Sequence, residues 1–416
     1  MITRGLVVLL GLFATGVAAA QPVAPCPTSD RSEQYFPPGS APERASSGWR
    51  IAWQLWPATP PNGPAAKWVI AGAEFMTRGH DGAPRWLKVL DHLHLSEMYV
   101  PYDSGHELFD ISANNFSFVP IAEGTSVAAA APTPPCHHRQ IVLEEVRDDD
   151  VRWVDDRRAS QIGRGHELVL WATLDGGNYR YVVRYGFADD GSIRARVGAT
   201  ASNLHHRRRD RDPRAEVVAE DDIHVHMAGW RLEMHLGDPA ANRVTLLERR
   251  ACSDPGAACG TERGAVLERR TFLNEGSAVW RPERFGMIVI ENGAGERRPG
   301  YTMVPRSAGV VRSARPFSQS DFWVSRRDPQ ALLAGCARRI PPEWVFIDLP
   351  TWQSCPQTLV GHAAVLWHQS AAYHWPRGED FGAGSDHRDS GVATTAWSGF
   401  DLIPRDILPG TPLLRR

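Results

Sequence analysis

Residues Glu167 to Ala201 read ELVLWATLDGGNYRYVVRYGFADDGSIRARVGATA. Leu168-Val169-Leu170-Trp171 is one run of β-formers, and a second extends from Asn178 to Phe187. Asp189-Asp190-Gly191-Ser192 carries turn chemistry, after which Ile193 to Val197 returns. Such spacing predicts antiparallel strands joined by tight connections. Working outward, the same pattern holds from Trp49 onward. Short β-branched and aromatic runs alternate with Gly, Pro, Asn and Asp, and 3.6-residue periodicity is scarce. Asp222 to Leu236 reads as a further strand of alternating character, and low-complexity Ala128 to Pro135 reads as a surface loop. Together these features predict an all-β fold, a large antiparallel β-sandwich with long loops and few helices.

The N-terminus sets the expected compartment. Arg4 is followed by an apolar and small-residue run, Gly5 to Val17, and by Ala18-Ala19-Ala20. That predicts a signal peptide at residues 1–20, too short to span a bilayer, and hence an exported chain, periplasmic or secreted, with no membrane span. Residues 21–46 are rich in Pro, Ser and charge and read as a linker, leaving 47–416 as one globular unit. Six cysteines lie beyond the expected cleavage point, and in an oxidising compartment an even number favours disulfides. Cys252 and Cys259 bracket a turn-rich loop that one bridge would close, whereas the other pairings are not assignable. The formal charge is −2 and acidic residues follow the basic run 205–211, which reads as a solvated loop in preference to a nucleic-acid patch.

His224-Val225-His226 lies inside an expected strand. Residues i and i+2 of a strand project to one side, so both imidazoles can grip one ion, a donor set that suits copper or zinc.

The surroundings of this pair, in order along the chain, resemble the catalytic domain of copper-containing primary amine oxidases. The similarity is carried by Ser96-Glu97-Met98-Tyr99-Val100-Pro101-Tyr102, by Phe109-Asp110, and by Asn178-Tyr179-Arg180-Tyr181 ahead of the His-x-His strand, with Arg231-Leu232-Glu233 just after it. It continues through Phe322-Trp323-Val324-Ser325, the segment His374-Trp375-Pro376-Arg377-Gly378-Glu379-Asp380, and Gly399-Phe400-Asp401-Leu402-Ile403-Pro404. The resemblance runs from Leu95 to the C-terminus, and the smaller domains that precede it in typical members are expected to be absent.

The resemblance implies the following. Copper(II) would be held by His224, His226 and His374. Tyr179, next to Asn178, would be oxidised in place to topaquinone. Asp110 would be the base that removes the α-proton of the amine, and Tyr102 would hydrogen-bond a cofactor oxygen. The expected reaction converts a primary amine and dioxygen to aldehyde, ammonia and hydrogen peroxide, in a homodimer. The sequence departs from the pattern at several places. Arg180 replaces an acid, Asp175 replaces threonine, Leu108 replaces an aromatic gate, and Ser112-Ala113 replaces Gly-Glu. A second, calcium-type site would fall at Glu233-Met234-His235, where an imidazole in place of a hard oxygen argues against it. A gly- and Ser-rich insertion follows Asp380. Two other functions compete with the oxidase: a copper-binding relative that makes no quinone, for which Arg180 and Asp175 speak, and a structural or glycan-binding sandwich, for which 15 Trp speak.

Overall fold

The computed structural model describes residues 29–56, 67–79, 81–111, 117–119, 136–138, 140–155, 161–177, 179–204, 223–257, 259, 264–294, 298–307, 312–313, 315–327, 356–377, 380 and 391–408. Along the chain, β1 (Arg31–Phe36), β2 (Ser47–Trp56), β3 (Lys67–Arg78), β4 (Pro84–Pro101) and β5 (Glu107–Ile111) begin one sheet. Next, β6 (Cys136–His138), β7 (Ile141–Asp155), β8 (Gln161–Gly176), β9 (Tyr179–Ala188) and β10 (Ile193–Leu204) begin the other. The chain then shuttles between them. β11 (His224–Met234), β14 (Gly276–Ala278), β17 (Phe322–Arg326) and β18 (Ala364–His374) join the first sheet. β12 (Asn242–Ala251), β13 (Ala265–Thr271), β15 (Met287–Asn292), β16 (Gly300–Arg306) and β19 (Gly391–Arg405) join the second.

The first sheet runs β1-β2-β3-β4-β11-β18-β17-β14 with β5 also on β4, and the second runs β13-β12-β15-β16-β19-β10-β9-β8-β7-β6. All of these pairings are antiparallel, as expected. Helix among the described residues is confined to short 3₁₀ turns, and no helix there is long and apolar enough to cross a membrane. Apolar faces of both sheets meet in one core that includes Trp49, Trp230, Tyr185, Phe187 and Phe400. Trp49, Trp53, Trp68, Trp230, Trp323 and Trp367 are all buried. These six tryptophans therefore serve packing, whereas Trp375 and Trp397 are exposed.

Two expectations need correction. Within the expected linker 21–46, residues 31–36 form β1, which pairs with β2 in register Arg31↔Ala52 to Phe36↔Ser47. It is an edge strand, so its polar face meets solvent and only Phe36 at its end is fully buried. The strand expected at 222–236 is β11, buried along its entire length instead of on alternate residues. It is central, flanked by β4 and β18, and both faces are covered. Ala228, Trp230 and Leu232 face the main core, while Val225 and Met227 pack with Tyr99, Phe317, Trp323 and Trp367 in a second cluster. A two-sided strand loses the polar half of the alternation.

The hairpin read from Asp189 to Ser192 is present, with Gly191 at φ 86° in the left-handed region that glycine permits. Cys252 and Cys259 form a disulfide. The expected signal peptide, the loop 128–135, the basic run 205–211, Ser112-Ala113, most of the insertion after Asp380 and the other cysteines' side chains lie outside the described residues.

Candidate metal centre

The centre sits between the sheets where β11 begins and β18 ends. In the antiparallel register His224 is directly opposite His374, and His226 is opposite Ala372. The period of two turns His224 and His226 to one side, with ring centroids 4.9 Å apart. The His224 and His374 centroids are 4.8 Å apart. One donor nitrogen from each of the three rings can be chosen so that all lie within 4.8 Å of one another, so a small inward movement of the rings would bring them to the ~2.0–2.1 Å metal–nitrogen distances of one shared ion. Two of these donors are fixed by their separation: His374 Nδ1 lies 3.2 Å from His224 Nε2.

The rear nitrogens identify the donor side. Nε2 of His374 faces Asp380 Oδ2 at 3.4 Å, and that carboxylate is itself held by the Arg377 backbone N–H at 2.9 Å and its guanidinium at 2.9 Å. Nδ1 of His226 lies 2.9 Å from the Tyr181 hydroxyl, leaving its Nε2 buried with no hydrogen-bond partner. A buried imidazole nitrogen without a partner costs free energy that an ion would recover. Burial, with the neighbouring His224 and His374, pushes His226 well below the usual histidine range, and burial also lowers His374 against the pull of Asp380. Both rings are thus neutral, as metal ligation requires. The residues fit a Cu(II) or Zn(II) ion held by three imidazoles.

The opposite sheet contributes the tyrosines. β9 projects Tyr179 and Tyr181 inward, both fully buried. The Tyr179 hydroxyl is 2.6 Å from Nδ1 of His374, so its oxygen stands on the metal side of that ring. The Tyr181 hydroxyl meets His226 from behind and donates to Asp110 Oδ2. Of the two phenols, Tyr179 is the one placed to become a ligand. Tyr102 stacks on His224 with centroids 4.5 Å apart, and its backbone bridges to that residue. Asp110, at the end of β5, is 4% exposed. Its carboxyl is raised to about 7 by burial, against the lowering effect of the Tyr181 hydrogen bond.

The structure therefore brings together His224, His226, His374, Tyr179, Tyr102 and Asp110. Asn178 lies outside the described residues. Sequence reasoning gave no role to Tyr181, quoted only as part of a motif, or to Gly176. The period-two rule that linked the histidines also puts Tyr181 on the face of Tyr179, so that signal was available.

Two departures from the family pattern account for each other. Asp175 and Arg180 are cross-strand partners in the β8–β9 hairpin, and Arg180 Nη1 is 2.6 Å from Asp175 Oδ1. The same nitrogen donates to the Gly177 carbonyl at 2.6 Å. The pair lies on the outer face, away from the imidazoles, as strand alternation requires.

At the far end of β11, the Glu233 carboxylate pairs with Arg231 and, at 2.7 Å, with Arg327 Nε, and His92 Nδ1 is 3.4 Å away. Guanidinium groups already occupy the oxygens that a hard cation would need.

A family model described as copper amine oxidase, enzyme domain, matches residues 133–415. Tyr102 and Asp110 precede that stretch but pack into it. Among relatives, the chain is 22% identical over 389 residues to the Arabidopsis thaliana copper-containing amine oxidase alpha 2, peroxisomal, covering 80% of this chain and 55% of that one. It is 25% identical over 379 residues to the histamine oxidase of Arthrobacter globiformis, covering 80% and 53%. The chain thus spans about half the length of either relative. Among solved structures, the copper-containing benzylamine oxidase from Hansenula polymorpha superposes with a TM-score of 0.61 at 18% identity, covering 87% of this chain and 62% of that one. An Aspergillus nidulans amine oxidase gives 0.54 at 16% identity, covering 86% and 55%.

Proposed function

Because the chain belongs to the copper amine oxidase family by its enzyme domain, we propose that it oxidises a primary amine with dioxygen and water to an aldehyde, ammonia and hydrogen peroxide. The observation that carries this reading is the Tyr179 hydroxyl, 2.6 Å from the donor nitrogen of His374 inside a three-histidine cluster. A phenol so placed is the group a bound metal would ionise first. Copper, with a quinone made from Tyr179, would supply the electron sink that ordinary side chains lack, passing two electrons from the amine to dioxygen.

The chain's own residues do the rest. Asp110 takes the α-proton, since its desolvated carboxyl is a usable base near neutral pH. Tyr102, stacked on His224, walls the ligand cluster on one side and would hydrogen-bond an oxygen of the cofactor. Enclosure between two sheets excludes water from the reacting atoms. Arg180, the chief argument for a relative without the quinone, is tied to Asp175 and directed away from the centre. The expected signal peptide at residues 1–20 is the basis for proposing an exported, oxidising compartment, with which the Cys252–Cys259 disulfide agrees.

The test is to load the protein with copper in air and titrate it with phenylhydrazine while following visible absorbance. A coloured adduct that Tyr179→Phe lacks, with copper retained in both, supports the oxidase. Copper bound without an adduct overturns it in favour of a metal-binding relative. Relatives named for histamine and benzylamine make those two amines the first substrates to try.

A further inference from the structure

Tyr179 and Tyr181 leave β9 on the same face, with ring centroids 6.4 Å apart, yet they meet the histidines from opposite sides. Tyr179 approaches the donor nitrogen of His374. Tyr181 approaches Nδ1 of His226, the nitrogen remote from the bare Nε2. Its hydroxyl hydrogen is committed to Asp110 Oδ2, so towards His226 the phenol oxygen can only accept. Nδ1 of His226 must then carry the proton, which leaves the Nε2 lone pair open on the side of His224 and His374.

A second observation points to the same residue. Gly176, cross-strand from Tyr179, has no left-handed backbone to explain it. A Cβ built there would come within 2.4 Å of Tyr181 Cε2 and 3.2 Å of Asp110 Cβ. The position is bare so that the Tyr181 ring can lie between base and ligand.

We propose that Tyr181 is the positioning residue that joins the base to the metal centre. Through one oxygen it fixes the ring orientation and tautomer of His226 and anchors the carboxylate of Asp110. The inference rests on the metal-centre reading. Partners of this kind behind a ligating histidine contribute roughly 10–100-fold to metal affinity. His374 is held from behind by a carboxylate, Asp380. His226 reaches one only through the phenol.

The experiment compares wild type, Tyr181→Phe and Tyr185→Phe. Tyr185 is a buried tyrosine of the same strand whose hydroxyl meets the Leu95 backbone N–H instead, so it controls for the loss of any buried hydroxyl. Copper dissociation constants come from competition with a chromophoric chelator, and ¹⁵N-histidine spectra of the copper-free proteins report the tautomer of His226. Tyr181→Phe is expected to raise the dissociation constant about 10–100-fold and to convert a single Nδ1–H tautomer into a mixture. Tyr185→Phe is expected to do neither, and Gly176→Ala is expected to reproduce the loss by displacing the ring. A Tyr181→Phe protein that binds copper like wild type and keeps one tautomer overturns the proposal, as do equal losses in the two Phe variants. If wild type binds no copper, the metal-centre reading fails instead. The copper-free spectra then still decide whether Tyr181 sets the tautomer.

Discussion

Asp110 and Glu233 are two buried carboxylic acids, 4% and 3% exposed, whose ionisation moves in opposite directions. Burial carries Asp110 up to about 7, against the hydrogen bond from the neutral phenol of Tyr181. Burial also pushes Glu233 up. There the hydrogen bond from His92 and the charges of Arg231, His92 and Arg327 outweigh it and carry the group to about 2. The difference teaches that depth alone does not decide what a buried acid can do. Where the protein supplies its own cations, the acid is locked as a structural anion. Where it supplies a phenol, the acid can exchange a proton near neutral pH. The same contrast separates the two ends of β11: imidazoles converge at His224 with a donor nitrogen to spare, while at Glu233 the guanidiniums already occupy the carboxylate.

Asp110→Asn gives the largest expected effect. Turnover should fall by roughly 10²–10⁴, as when a general base is lost, while copper content and the phenylhydrazine adduct persist. A variant that kept turnover would break the comparison at its catalytic end.

Glu233→Gln comes next, since it strips the counter-charge from Arg231, which is 4% exposed. Breaking a buried pair from one side costs about 3–5 kcal/mol, read as a lower urea midpoint with copper binding unchanged. Acid should act in the same way. Glu233 is depressed from 4.5 to about 2, so its contribution is complete above pH 4.5 and is lost as pH falls through about 2. Added calcium should leave melting unchanged, because the carboxylate is already paired; stabilisation by calcium would show that the guanidiniums give way.

The pH profile of turnover sharpens the contrast further. Asp110 is raised, so the base is protonated below about 7. kcat/KM should therefore rise with pH through that value and level off above it, with a slope near tenfold per pH unit on the acid side. An acid limb centred near 4 would mean that Asp110 is solvated like an ordinary aspartate.

Arg180→Ala should be the mildest. The Arg180–Asp175 pair is 31% and 41% exposed, and such pairs contribute about 0–1 kcal/mol. Exchanging the two residues (Arg180→Asp with Asp175→Arg) should restore whatever adduct yield the single change costs. Failure to do so would mean that the Gly177 carbonyl contact, not the charge, is what Arg180 contributes.

Much of the fold was legible because the β9–β10 turn and the flanking β-formers are local signals. The metal ligands were legible in part. His224 and His226 follow from period two, but His374 lies 150 residues away, and only resemblance linked it. The Tyr181 bridge was not legible, since its partners are 71 and 45 residues distant and meet only when two sheets pack. The Asp175–Arg180 pair was within reach: Gly177-Asn178 is a two-residue connection, which puts 175 opposite 180. β1 was missed because an edge strand with one polar face has the composition of a linker.

The register that sets His224 against His374 has one more consequence. Sliding β18 by a single residue along β11 would turn every one of its side chains to the other face, replacing His374 with Trp375 or Tyr373 and scattering the cluster. Tyr179 arrives from the opposite sheet, so its meeting with the histidines also requires that the two layers close correctly. On the proposed oxidase reading, oxidation of that tyrosine would serve as an assembly inspection: a misthreaded chain would stay colourless, and only a correctly built one would acquire its pigment.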